Sequence, residues 1–236
     1  MEYPEDIFTE PESSDDTLAN LGPLRALAGI WTSADGLDVN PKAAGPELQP
    51  YVERMEFQPI DAQPNGPQLY YGLRYHTFII KPDEIETLHD QVGHWLWEPA
   101  TGTIIQTLSI PRGQTALAMG KTTADAKSFS LEAVRGSTVN GICSQPFLEY
   151  AFRTERYAIT VTIHDDGTWS YEQQTTLIVH GQKEPFQHTD RARLKRIDAP
   201  TPNPRARVVL RGAPQLAPAP LPVLNASTPA RLNTKL

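Results

Sequence analysis

The chain has one cysteine, Cys143, in 236 residues, so it cannot close an internal disulfide. Nothing in it requires an oxidising compartment. Long apolar runs are also missing, and none approaches the length of a membrane-spanning helix. The opening stretch MEYPEDIFTEPESSDD lacks lysine and arginine, the reverse of a secretory leader's basic start. These absences lead to the expectation of a soluble cytoplasmic protein with no membrane partner. Basic residues are in deficit overall: 21 Lys plus Arg face 28 Asp plus Glu, for a net charge of −7. That balance excludes a general nucleic-acid binder, which needs many cationic contacts to phosphate. No Gly-rich phosphate loop, Ser-His-Asp spacing or catalytic carboxylate pair stands out, which leaves a generic hydrolase without support. Cys143, read as part of the loop Asn140-Gly141-Ile142-Cys143, has no basic neighbour or histidine to activate a thiolate.

What the chain does have is alternation. Tyr157, Ile159, Val161 and Ile163 follow the two-residue period of a half-buried strand, His164-Asp165-Asp166-Gly167 supplies a turn, and Trp169, Tyr171, Gln173 and Thr175 resume the period. Gly181-Gln182 marks a second reversal. In the strand that follows, Phe186, His188, Asp190, Ala192 and Leu194 share one face, while Gln187, Thr189, Arg191, Arg193 and Lys195 share the other. The second set belongs in water, so the first points inward and carries His188 with it.

Further strands are expected near 51–57, 69–79, 91–98, 103–110, 114–119, 128–134, 145–154, 157–164, 168–179 and 185–196, after a first strand opened by Gly29-Ile30-Trp31. Turns fall at Pro64-Asn65-Gly66, Pro99-Ala100-Thr101-Gly102 and Pro111-Arg112-Gly113. Ser33 to Pro50, rich in Gly, Pro, Asp and Asn, reads as a long loop. Asp16 or Thr17 caps a short helix through Leu18, Leu21, Leu24 and Leu27, which Pro23 perturbs and Gly29 ends. Many short strands after one helix predict an all-β fold, a closed antiparallel up-and-down barrel of about ten strands, since closure removes the exposed edges of so long a meander. Three regions follow: an acidic, loosely held N-terminus over 1–16, the barrel over 17–197, and an extended tail over 198–236 with eight prolines and no sustained period.

Several residues are candidates for function. His188 on the inner face is a candidate ligand for something bound inside, with Asp190 two positions on to orient it or pair with it. Glu86-x-x-His89-x-x-x-x-His94 matches no common zinc spacing, and His89 and His94 read as surface or loop residues. Trp31 reads as a seal of the barrel end beneath the helix. Trp95 and Trp97 share a strand face and are able to line a pocket or fill a core. Arg153, Glu155 and Arg156 read as a structural charge ladder.

Leu27-Ala28-Gly29-Ile30-Trp31, Val92-Gly93-His94-Trp95-Leu96-Trp97-Glu98-Pro99, Leu108-Ser109-Ile110-Pro111-Arg112-Gly113, Glu155-Arg156-Tyr157 and Gly181-Gln182 leading to Phe186-Gln187-His188 occur in collinear order. Over roughly residues 20–197 this pattern resembles the nitrobindin family, the THAP4-type heme-binding β-barrels once described as fatty-acid-binding-protein-like and lipocalin-like. The resemblance implies a ten-stranded barrel holding ferric heme b through a histidine on the last strand, and peroxynitrite isomerisation to nitrate. It points to His188 as iron ligand, Trp31 and Trp95 as heme contacts, and His76 as a distal residue. Two motifs depart from the family. The opening Gly-x-Trp-x-Gly-x-Gly keeps Gly29 and Trp31 but loses the next glycine, and the close reads His188-Thr189-Asp190, so that strand register places His188 or Thr189 at the ligand position. The alternative reading is a heme-free carrier of a fatty acid or other small apolar ligand. In either case the expected partner is a small molecule, with a homodimer left open.

Overall fold

The computed structural model describes residues 4–201. Twelve strands run in chain order: β1 (Gly29–Lys42), β2 (Gly45–Pro59), β3 (Gln63–Asn65), β4 (Gln68–Ile80), β5 (Thr87–Glu98), β6 (Thr103–Ile110), β7 (Gln114–Lys121), β8 (Ser128–Val134), β9 (Ile142–Ser144), β10 (Phe152–Ile163), β11 (Trp169–Val179) and β12 (Phe186–Asp198). Their order is β2-β1-β12-β11-β10-β8-β7-β6-β5-β4, and a β2–β4 pairing closes it into a ring of ten antiparallel strands. The short β3 and β9 attach outside that ring, to β4 and β7. Antiparallel neighbours in chain order need only tight turns, and Gly102, Gly113, Gly167 and Gly181 supply the positive φ these turns require.

One end of the barrel is sealed. The chain enters through a 3-10 helix (Gly22–Leu27), whose Leu24 and Leu27 are fully buried. Beneath it Trp31 is also fully buried, donates its indole N–H to Leu27 O at 2.7 Å and meets Trp169 edge-on at 6.0 Å. Phe57 and Leu194 complete this apolar plug, and Arg196 lies over the Trp31 ring at 4.6 Å. The expected α-helix is thus shorter and tighter, with turns over 17–20 and 3-10 geometry from Gly22. Pro23 removes a backbone donor early in the segment, and six residues leave little room for an α-helical ladder.

Two further expectations are corrected. Ser33–Pro50 is no loop: β1 continues to Lys42 through an irregularity between Ser33 and Gly36, and β2 begins at Gly45. The inward positions there include polar residues such as Asp38, which erases the apolar alternation that marks a strand. Residues 145–154 and 157–164 are not two strands. Gln145 caps a helix, α1 (Pro146–Ala151), through a 2.7 Å bond from Phe147 N to its side chain, and β10 then runs unbroken from Phe152 past a bulge at Thr154–Arg156. Cys143 sits on β9 and is exposed.

Residues 4–16 form no helix or strand and are mostly exposed, though Ser14 N bonds Tyr71 Oη at 3.0 Å. Most of the proline-rich tail, from residue 202, and the first three residues lie outside the described residues. No helix among the described residues is long and apolar enough to cross a membrane.

Candidate functional site

The other end of the barrel is open, and from it a cavity of about 410 Å³ runs down to Trp95, Phe57 and Trp169. Inward parity decides its lining. On β12 the register Thr175↔His188 and Gln173↔Asp190 turns His188 and Asp190 to the cavity, as alternation predicts, while Gln187, Arg191 and Lys195 are exposed. Thr189 takes the opposite parity, so His188 is the inward residue of the pair.

His188 Nε2 lies 2.7 Å from Asp38 Oδ1 and 3.5 Å from Asp190 Oδ2. Asp38 comes from β1, which pairs with β12 at Asp38↔Asp190. Asn40 Nδ2 donates to Asp38 at 3.0 Å, and Gln173 Nε2 donates to Asp190 at 2.9 Å. Burial works against the charged imidazolium, yet the bond to Asp38 and the charges of Asp190 and Asp38 overcome it and raise the His188 pKa. For Asp38 burial pushes upward, but the bond and charge of His188 win and its pKa falls. Asp190 is raised: burial dominates, the charge of His188 opposes it, and repulsion from Asp38 adds to the rise. The set is asymmetric: flanking one imidazole, Asp38 is pushed toward its ionised form and Asp190 toward its protonated form.

Behind this set lies a phenol chain. Tyr51 Oη is 2.7 Å from Tyr171 Oη, and Tyr171 donates to Glu53 Oε2 at 3.1 Å. Glu53 is buried and its Oε1 has no partner, and burial pushes its pKa to about 8, against the Tyr171 bond and with Asp190 and Asp35 adding repulsion. Gly36 makes room for this arrangement, because a Cβ there would stand 2.1 Å from the Tyr51 ring. On the far wall Tyr75 Oη accepts from Gln91 at 2.6 Å and Gln106 at 3.3 Å, and Tyr157 donates to Gln106 Oε1 at 2.8 Å. Burial raises the pKa of all four tyrosines and holds them as neutral phenols.

The remaining candidates separate. Trp95 lines the cavity, and its buried indole N–H has no partner. Trp31, expected to touch heme, lies outside the lining because it is spent in the plug at the sealed end. His76, expected over a heme face, stands on the outer surface, 3.0 Å from Asp90, since Tyr75 and Thr77 take the inward parity of β4. His94 is exposed too. His89, read as a surface residue, instead lines the cavity next to Gln91; burial lowers its pKa, against the Gln91 bond and with Arg112 and His188 adding to the effect. Arg156 bonds Glu132 across to β8 and Arg153 bonds Glu155, a structural ladder as expected. Asp38 was hidden inside the apparent loop, and only the strand character of β1 could have exposed it.

A family model described as the THAP4-like, heme-binding β-barrel domain matches residues 20–196. No curated protein matches. Among solved structures, the crystal structure of Rv2717c from M. tuberculosis superimposes with a TM-score of 0.54 at 21% identity, covering 77% of this chain and 97% of that one. That likeness is one of fold.

Proposed function

From its membership of the THAP4-like heme-binding β-barrel domain family, to which this chain belongs, we propose that it holds heme b with His188 as axial ligand. The observation that carries this reading is the inward His188, one ring nitrogen held by Asp38 at 2.7 Å and the other left as donor. A carboxylate on the second nitrogen fixes tautomer and ring orientation and makes the imidazole a better donor. Trp95, across the ring on β5, has an indole N–H still to satisfy and an apolar face for a macrocycle to rest on. The group is held without covalent attachment, because the single cysteine lies exposed on β9, outside the cavity lining.

Bound ferric iron supplies the small-oxidant chemistry, here the isomerisation of peroxynitrite to nitrate. The chain's own part is to bind and to exclude water. Tyr75, Tyr157 and Tyr171 line the cavity as neutral phenols, and the Trp31 plug closes its floor. A metal-free carrier of fatty acids fits this lining less well, since an alkyl chain brings no group to meet Asp38, His188 and Asp190 on the cavity wall.

Hemin titration of the parent protein and His188→Ala tests the reading. The parent is expected to saturate at one equivalent with a sharp Soret band, and the variant to give a weak, non-saturating spectrum. Equal titrations reject axial ligation by His188. Loaded parent protein is then expected to hasten peroxynitrite decay to nitrate beyond free hemin, and an equal rate rejects the isomerase activity.

A further inference from the structure

Iron in a porphyrin asks the wall for one imidazole and one acceptor to orient it. This wall supplies a second carboxylate. Asp38 and Asp190 are directly paired across β1 and β12, which sets two carboxyl groups opposite each other, and their side chains are only 10% and 15% exposed. A porphyrin ligand gives no reason to keep such a pair. A small cation does: ligand atoms from Asp38, His188 and Asp190 all lie within 4.8 Å of one another. They sit on one concave wall with the cavity before them, so three protein donors would cover one side of an ion and leave the other side for water or a small anion. Two oxygens and one imidazole nitrogen suit first-row transition cations better than calcium or magnesium, which favour all-oxygen sets. His89 faces the same cavity from β5.

We propose that Asp38, His188 and Asp190 form a site for a divalent first-row transition cation, which competes with heme for the His188 imidazole. The site shares a residue with the heme reading but does not depend on it. It makes the open end a choice between two iron-group ligands, a bare cation on three side chains or a porphyrin on one.

The test is a titration of the full chain, freed of metal with a chelator, with Co2+ followed by its visible absorption and with Zn2+ as competitor. The parent is expected to bind one equivalent saturably. Asp190→Asn and Asp38→Asn, each checked by thermal melt for folding, weaken the affinity at least tenfold. Two variants are used so that one failing to fold leaves the other decisive. Prior addition of Zn2+ reduces hemin uptake by the parent. Absence of a saturable Co2+ spectrum in folded parent protein overturns the proposal, as do unchanged titrations in folded Asp-to-Asn variants. A signal lost with His76→Ala instead assigns the cation to the outer His76–Asp90 pair and also overturns it. Protein that takes Co2+ but no hemin ends the heme reading and keeps the cation site; the reverse result ends the cation site alone.

Discussion

The two ends of the barrel are built from the same strands but to opposite rules. At the sealed end the inward groups are large apolar rings and leucines, and the one polar side-chain atom of Trp31 bonds Leu27 O. At the open end acids, imidazoles, amides and phenols stand among apolar side chains around about 410 Å³ of space. The first arrangement provides stability by excluding water from large rings. The second gives some of it up, because desolvated acids and half-satisfied polar groups are costly unless something fills the space. A ligand site in a small barrel is therefore a place where packing was exchanged for donors.

Trp31→Ala is expected to have the largest effect, removing the keystone of the sealed end at a cost of about 3–5 kcal/mol, or roughly 10 °C in melting temperature. A loss under 1 kcal/mol in urea unfolding would show that the plug is not what holds the barrel.

Glu53→Gln sharpens the contrast from beneath the open end. The folded pKa of Glu53, about 8, lies above its ordinary value near 4.5, so the fold keeps a proton that the unfolded chain releases. Stability therefore falls as pH rises from about 4.5 to about 8, by roughly 3 kcal/mol at pH 7. The glutamine variant should flatten this slope and exceed the parent in stability at pH 8. An unchanged slope would mean that Glu53 is ionised in the fold.

His188→Ala should cost less, about 1–2 kcal/mol, and only in part of the pH range. The His188 pKa is raised in the fold, so its contribution is full below the ordinary histidine value near 6.5 and disappears as pH rises through the raised value. Urea unfolding at about pH 5.5 and about pH 9, on either side of that window, should show the deficit only at the lower pH.

His76→Ala, on the outer face of the same wall, is expected to change stability by less than about 0.5 kcal/mol and to leave hemin titration unaltered. A large effect would place His76 in the function despite its outward parity.

The sealed end was largely legible in the sequence, because apolar alternation announces strands and a buried Trp31 follows from its place beneath the entering helix. The open end was legible only where polar and apolar residues still alternate. His188 and Asp190 could be placed because Ala192 and Leu194 continue their face into the core. Asp38 could not, since the inner face of β1 near the mouth is polar and its Gly, Asp, Asn and Pro imitate a loop. His89 lies at the mouth end of β5, before the buried alternation at Trp95 and Trp97 starts. Helix α1 is too short for a 3.6-residue period to emerge, and its apolar residues passed for a strand.

The Asp38–His188 contact spans 150 positions of the chain and lies on the seam where the first strand meets the last. Such a seam is among the slowest parts of a barrel to form, because the loop it closes contains nearly the whole domain. The site thus exists only in chains that have finished folding. A ligand gripped there draws on the folded state alone, and each molecule bound raises the work needed to reopen the ring, so that occupancy acts as a latch on the last step of folding.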